Sequence, residues 1–447
     1  MTNKLQLNTS NRQILSLSLP ISIALVVPFL NFSINNFFLS RLGESELGTA
    51  GITGVFFLVL AVLGNGLNNA LQAIISRRAG ENNASAIGET FGQGLRIALF
   101  FAAGAILLTW LLAPFFLSGM LRHQEVEERA VNFLLIRVWG LPFLYLFQLC
   151  NALLVGTTNS RYLIIGAAAE AAVNIVLDYG LIFGKLGLPR LGFNGAAWAS
   201  VLAEAVALGV VLLVIHRKKL HRQFRLFDSF RLLPDLTRLL LKTSAPLIGQ
   251  YSISIISWLF FYIFLEHQGE RSLAVSNIMR NIFSLTGIFT WAFAATTNTM
   301  VSNLIGQNRQ EEVTGLIRKI MQLSLLSAVL LLVFLNIFAR PILSLYGLSD
   351  AFIATGVPVL RVVSAGILVM SISVVWLNAV TGTGHTTVNL LIEALAIVLY
   401  MCYVYLVLEH LQLGLLWGWA SEILYWGVIL LLAWGYMRSG RWQKKTF

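Results

Sequence analysis

The chain has 447 residues, of which 57% are hydrophobic and 11% are charged. About a quarter of the residues of a soluble domain are charged, so this composition excludes a soluble globular protein and predicts an all-α polytopic membrane protein. The net charge of +11 does not indicate a nucleic-acid partner, because the basic residues lie between apolar runs, where they orient membrane spans. The partners that we expect are the lipid bilayer and a small-molecule substrate, and we expect a monomer.

Twelve apolar runs are long enough to cross a bilayer, which takes about 20 helical residues. They lie near residues 14–38, 47–76, 91–118, 130–156, 162–184, 194–215, 240–265, 273–302, 316–339, 357–381, 387–408 and 413–437. The sequence therefore predicts an N-terminal six-helix lobe (1–215), a polar cytoplasmic linker (216–239) and a C-terminal six-helix lobe (240–447).

Basic residues are concentrated on one side of these predicted spans, above all in the linker. Loops that stay in the cytoplasm carry an excess of Lys and Arg. The pattern therefore predicts a multi-pass protein of the cell (inner) membrane with both termini in the cytoplasm, in agreement with an even number of spans.

The two halves of the chain repeat each other. A shift of 226 residues aligns, without a gap, Pro20 with Pro246, Ser76 with Ser302, Gly80 with Gly306 and Asn82 with Asn308. Each half has six spans, so both halves enter the membrane in the same direction and the lobes should be related by a pseudo-twofold axis along the membrane normal. Tandem repeats of this kind are typical of transporters.

The fifth span carries Glu170, Asn174 and Asp178 at steps of four, so all three lie on one face of a helix. A charged side chain at the bilayer centre costs roughly 2.5–3.5 kcal/mol on insertion scales. We therefore expect this face to line a wet cavity and to take part in transport. Burial of the acids as hydrogen-bonding groups between helices is the alternative.

Catalytic machinery is not evident in the sequence, which has neither a nucleophile triad nor metal-ligand spacing. Cys150 and Cys402 both lie in apolar runs and indicate packing. We predict that the chain is not an enzyme and that it uses no cofactor.

Two further groups of polar residues could contact the substrate. Asn65, Asn69 and Gln72 share a face near the end of the second span, and Arg280 lies inside the eighth. Hydrogen bonding between helices is an equal alternative for the amides. Snorkelling to the membrane surface is an alternative for Arg280.

Five segments resemble, in the same order, the multidrug and toxic compound extrusion (MATE) family of the type of the bacterial NorM and DinF transporters. They read LSLPISIALVVPFLNFSINNFFLSRLGESELGTAGI, SRRAGENN, NIVLDYGLIFG, GFNGAAWAS and TNTMVSNLIGQNRQEEV. The resemblance covers essentially the whole chain. It implies two six-helix lobes around a central cleft, and efflux of cationic or amphipathic drugs and toxins by alternating access, in exchange for Na⁺ or H⁺.

The resemblance also implies where an ion would couple to transport. One branch of the family uses an Asp in the first span, an Asn and an Asp in the fifth, and a hydroxyl in the sixth. Asn174, Asp178 and Ser200 match this pattern, whereas Asn35 stands in the place of the first-span Asp. The resemblance thus implies Na⁺ or H⁺ as a coupling ion, with Asp178 as the one possible sodium site. Glu170 or Glu204 could supply the missing second acid.

The second-lobe carboxylates of the sodium-coupled branch are absent, and Ser254 lies where one of them is expected. Glu393 and Glu422 lie elsewhere in that lobe, and they are either a second ion route or structural pairs. The choice between Na⁺ and H⁺ stays open at this point, as do the substrate and the oligomeric state.

Three other interpretations remain. A lipid-linked saccharide flippase of the same superfamily would need basic residues such as Arg96, Arg280 and Arg361 to converge in one cleft. An integral-membrane enzyme would need a clustered catalytic site. A major-facilitator transporter is the alternative at the level of the fold, although SRRAGENN lacks that family's acidic and basic signature.

Overall fold

The computed structural model describes residues 5–120, 124–228, 231–344 and 350–444. The regular structure in these residues is helical, which confirms the all-α prediction. The helices are α1 (Asn11–Ser40), α2 (Glu44–Gly80), α3 (Ala84–Met120), α4 (Gln124–Arg137), α5 (Leu141–Gly156), α6 (Leu163–Phe183), α7 (Phe193–Arg217), α8 (Leu220–Gln223), α9 (Pro234–His267), α10 (Glu270–Gly306), α11 (Val313–Ile337), α12 (Ala339–Ser344), α13 (Asp350–Thr383), α14 (Thr386–Val404) and α15 (Leu415–Arg438).

Eleven helical segments of the described residues are long and apolar enough to cross a membrane. The predicted eighth span corresponds to α10, which has sufficient length but is not among the eleven. Arg280 and the polar run TTNTMVSN lie in this helix. The twelve predicted spans therefore all correspond to helices, of which one is more polar than the others.

Contacts between residues divide the chain into two compact units. The first unit contains Ile23–Ile248, and the second contains Gly249 onwards together with Gln6–Ser22. The beginning of α1 thus packs with the second half of the chain. Within the second unit, the Leu7 amide donates to Asn303 Oδ1 (2.9 Å), and Gln307 Nε2 donates to the Leu7 carbonyl (2.9 Å). The domain boundaries 1–215 and 240–447 stay a prediction.

The predicted linker, residues 216–239, belongs to the first unit, and its residues 229–230 lie outside the described residues. Phe224 is buried, and Gln93 of α3 donates to the Arg231 carbonyl (2.9 Å) and accepts a hydrogen bond from Thr237 (3.1 Å). The connection is therefore held against α3.

The backbone repeats with the same period as the sequence. Helix α10 has the bounds of α2 displaced by 226 residues. After these helices, Asn82 and Asn308 both adopt a left-handed conformation, with φ values of 55° and 59°. Asn tolerates this region better than most residues. The duplication therefore extends to local backbone geometry.

The fourth span is broken between α4 and α5. A 3₁₀ turn, Val138–Gly140, separates the two helices. Pro142 has no N–H to donate to the carbonyl four residues earlier, so the α-helical hydrogen-bond pattern cannot continue through this point. A side chain at Gly140 would collide with Arg137 and Glu204. Arg137, whose side chain is 12% exposed, is the last residue of α4 before this turn.

Candidate ion-coupling site

Asp178 is the most unusual polar residue of the first unit. Its side chain has 0% exposure, and neither carboxylate oxygen has a hydrogen-bond partner among the described residues. Buried polar groups nearly always have a partner in folded proteins, and an exception indicates a bound ion, a water or a functional role. The acid predicted inside the fifth span is thus buried, and its two oxygens lack a protein hydrogen-bond partner in the described residues.

The end of α6 and the start of α7 fix the position of this acid. Helix α6 ends at Phe183 and is capped by Gly184, which adopts φ +69°, and the Lys185 amide donates back to the Gly180 carbonyl (3.0 Å). A Cβ at Gly195 of α7 would lie 2.7 Å from the Leu181 backbone. Gly195 therefore allows α7 to approach the α6 backbone close to the turn that carries Asp178.

Asn174 of α6 and Ser200 of α7 approach each other one helical turn before Asp178. Asn174 Nδ2 lies 3.5 Å from Ser200 Oγ, and Asn174 is buried while Ser200 is half-buried. The structure thus brings together the carboxamide of the fifth span and the hydroxyl of the sixth. It places them on the same stretch of α6 as Asp178.

Asn35 lies on the part of α1 that packs near Asp178. The ring of Phe38, one turn after Asn35, is 6.4 Å from that of Tyr179 and 6.1 Å from that of Phe183. Asn35 itself is half-buried. The end of α1 therefore lies beside the turn of α6 that holds Asp178.

Glu204 has a basic partner, unlike Asp178. Arg137 Nη2 and Nη1 lie 2.5 Å and 2.9 Å from Glu204 Oε1 and Oε2, and the guanidinium stands 3.8 Å from the centroid of the Phe57 ring. Glu204 is 5% exposed. Glu170, one turn from Asn174, is half-buried and interacts electrostatically with both members of this pair.

Sequence reasoning did not identify this partner of Glu204. Arg137 precedes it by 67 residues and lies on a different helix. Asn194, at the start of α7, was missed as well; its Oδ1 is buried without a hydrogen-bond partner in the described part of the chain. Arg137 and Asn194 could have been singled out in the sequence because each is a polar residue in or beside an apolar run.

The amides of the second span are engaged within the first unit. Asn65 Oδ1 accepts a hydrogen bond from Gln148 of α5 (2.9 Å), and Asn69 Nδ2 donates to the Asn65 carbonyl (3.1 Å). Gln72 is buried. These contacts are interhelical and intrahelical hydrogen bonds, and a contribution to a substrate cleft stays a prediction.

The predicted basic residues have separate partners. Arg280 belongs to the second unit, is exposed, and places its guanidinium 5.0 Å from the centroid of the Tyr262 ring. Arg96 lies in the first unit and donates to Gln93 (3.4 Å). The described contacts are thus with Tyr262 of α9 for Arg280 and with Gln93 of α3 for Arg96.

Known proteins with the same organisation establish the family. The model of the family described as MatE matches residues 20–180 and 246–406, more than half of the chain. The chain belongs to the MatE family. This membership confirms the predicted MATE-type membrane transporter, and with it the prediction that the chain is not an enzyme.

Individual relatives agree with the MatE family over nearly the full length. The chain is 24% identical to a probable multidrug resistance protein NorM of Thermotoga maritima, over 97% of this chain and 94% of that protein. It is 23% identical to the probable multidrug resistance protein YoeA of Bacillus subtilis, over 88% and 85%. The crystal structure of a MATE protein in the straight conformation matches with a TM-score of 0.88 at 19% identity, covering 100% of both chains. This match shows a MATE fold and excludes the major-facilitator alternative.

Proposed function

We propose that the chain is a secondary multidrug exporter that exchanges cationic or amphipathic small molecules for Na⁺ or H⁺ by alternating access. The observation that carries this proposal is the buried, unpartnered carboxylate of Asp178. The names of the NorM and YoeA relatives, both multidrug resistance proteins, support the substrate class. Basic loop residues support a location in the inner membrane with cytoplasmic termini.

Asp178 suits ion coupling because the cost of burying its carboxylate depends on whether a proton or a cation is bound to it. An isolated carboxylate is costly inside a span, so a state that closes around Asp178 must first take up a proton or a cation. Conversely, loss of that ion favours a state in which water reaches the carboxylate. Binding and release would thereby bias two conformations of the protein in opposite directions.

The groups around Asp178 fit a sodium ion as well as a proton. Asn174 and Ser200 provide a carbonyl and a hydroxyl oxygen on the neighbouring turns, and Asn35 adds a second carboxamide on α1. Oxygen atoms of this type are the ligands that hard cations prefer. Glu204 is less suited to the task, because its charge is already offset by Arg137. Glu170 is the remaining acid that could act with Asp178.

Replacement of Asp178 by Asn tests the proposal. The variant keeps the size of the side chain and removes the charge, so we expect ion-dependent dye efflux from vesicles to be lost while the amount of protein in the membrane is unchanged. The matched control is Asp235→Asn, which alters an exposed acid in the first turn of α9 and should transport as the parent protein does. Full efflux by Asp178→Asn would overturn the proposal.

A further inference from the structure

A groove beside the first turns of α9 plays no part in the mechanism above. It lies in the first unit and has a volume of about 460 Å³. One residue of the segment before α9 and five residues of α9 itself line it: Leu232, Pro234, Thr237, Arg238, Leu241 and Lys242. The five residues of α9 recur at spacings of three and four, so they share one face of the helix. The groove therefore follows the beginning of a helix that is long and apolar enough to cross a membrane.

Hydrogen bonds to α3 hold both walls of this groove in place. Gln93 of α3 is buried, and its Oε1 accepts hydrogen bonds from the Thr237 hydroxyl (3.1 Å) and the Leu233 amide (3.4 Å). Its Nε2 donates to the Arg231 carbonyl (2.9 Å). One buried carboxamide thus joins the segment before α9 to the start of α9. A ligand that enters a groove with fixed walls loses less binding free energy to the ordering of the protein.

Two cations lie at this groove without an acid to neutralise them. Arg238 and Lys242 are one helical turn apart and exposed, and the ion pairs of the described residues include neither of them. Asp235, the acid nearest to them in sequence, does not line the groove. The apolar side chains of Leu232 and Leu241 are 59% and 38% exposed. The groove therefore presents two adjacent positive charges next to apolar surface.

We propose that this groove binds an anionic phospholipid, with its phosphate at Arg238 and Lys242 and an acyl chain against Leu232 and Leu241. Basic pockets beside membrane spans bind the headgroups of anionic lipids, and a guanidinium forms strong charge-assisted hydrogen bonds with a phosphate. A soluble anion would use the two cations alone, and an uncharged lipid would use the two leucines alone. A phospholipid with a net negative charge uses both.

Binding of phosphatidylglycerol to the purified full chain in detergent tests the inference. Native mass spectrometry counts the bound lipids, and the midpoint of thermal unfolding, followed as lipid is added, reports the affinity. We expect one phosphatidylglycerol to bind in preference to phosphatidylcholine, whose headgroup has no net charge. Inorganic phosphate and glycerol phosphate lack the acyl chain and should leave the midpoint unchanged at the same concentration. Equal stabilisation by phosphatidylcholine or by inorganic phosphate would overturn the inference.

Paired variants distinguish a site from the general attraction of a basic surface for anionic lipid. Arg238→Gln with Lys242→Gln removes both charges of the groove at exposed positions, and we expect the affinity for phosphatidylglycerol to fall about tenfold or more. The matched control, Arg217→Gln with Arg222→Gln, removes two exposed charges of the same linker that do not line the groove. It should bind the lipid as the parent protein does. Equal losses in the two double variants would show diffuse attraction and overturn the site.

A further variant tests the apolar wall separately. Leu232→Gln keeps both cations and nearly the size of the side chain, at a position that is exposed. We expect it to weaken the binding of phosphatidylglycerol, because the acyl chain loses an apolar contact. An unchanged affinity would contradict the contact between the lipid chain and the groove. The efflux test of Asp178 measures a different property, so the two proposals fail separately.

Discussion

At the scale of single residues, the acids inside the spans of the first unit have similar sequence neighbours but different partners in the structure. Asp178, Glu170 and Glu204 all lie inside apolar runs, and their positions were readily predicted. The sequence could not distinguish the acid that lacks a partner from the acid that has one. That distinction depends on Arg137, which lies 67 residues away from Glu204 on another helix.

The Arg137–Glu204 pair leads to a prediction about stability. Removing one member of a buried pair leaves an uncompensated charge, which typically costs 3–5 kcal/mol, or about a third of the stability of a domain. We expect Arg137→Met to lower the midpoint of thermal unfolding strongly. The double variant with Glu204→Leu should recover most of the loss, because both charges are then absent.

An exposed pair serves as the control for this experiment. Glu125 is 85% exposed and lies 2.7 Å from Arg129. Exposed pairs contribute about 0–1 kcal/mol, so Glu125→Gln should leave the midpoint nearly unchanged. If Arg137→Met were as mild as Glu125→Gln, the buried pair would have no structural role.

At the scale of elements, the period of 226 residues predicted the correspondence of α2 and α10, and the structure extends it to the loops that follow. The Asn82 amide donates to the Ala79 carbonyl and the Asn308 amide to the Ile305 carbonyl, both at 3.0 Å. The break between α4 and α5 was not predicted, because Gly140 and Pro142 lie in an unbroken apolar run. Hydropathy detects a span but not an interruption of its hydrogen bonds.

The left-handed residues that follow α2 and α10 give a prediction about stability. Asn82 and Asn308 are both exposed, so substitution there changes the backbone preference with little loss of packing. A β-branched side chain in this conformation costs about 1–2 kcal/mol. We expect Asn82→Val and Asn308→Val to lower the midpoint of thermal unfolding by similar amounts, and Asn82→Gly and Asn308→Gly to be neutral. Glu81→Val, at an exposed position with φ −72°, should be milder. Equal effects at residues 81 and 82 would contradict this account.

At the scale of the whole molecule, the sequence predicted two repeated halves but not the segment that crosses between them. Gln6–Ser22 packs with the second unit although it precedes the first. Its anchoring depends on long-range contacts such as Leu7 with Asn303, which no local pattern encodes. The coupling ion could not be predicted from the sequence, because a single buried acid such as Asp178 can take up either a proton or a sodium ion.

The energetics of exchange give the last prediction. A tenfold gradient of the coupling ion supplies about 1.4 kcal/mol, and 100 mV supplies about 2.3 kcal/mol for each net charge that crosses the membrane. If Asp178 carries one monovalent cation inwards for each monovalent dye carried outwards, no net charge moves. The dye gradient in vesicles should then approach about tenfold under a tenfold gradient of the correct ion, and it should not respond to an imposed potential. Sodium and proton gradients are applied separately, with ionophores that clamp the potential, and the gradient that concentrates the dye identifies the ion. Dye accumulation that responds to the potential would exclude one-for-one exchange, and accumulation without either gradient would exclude coupling through Asp178 altogether.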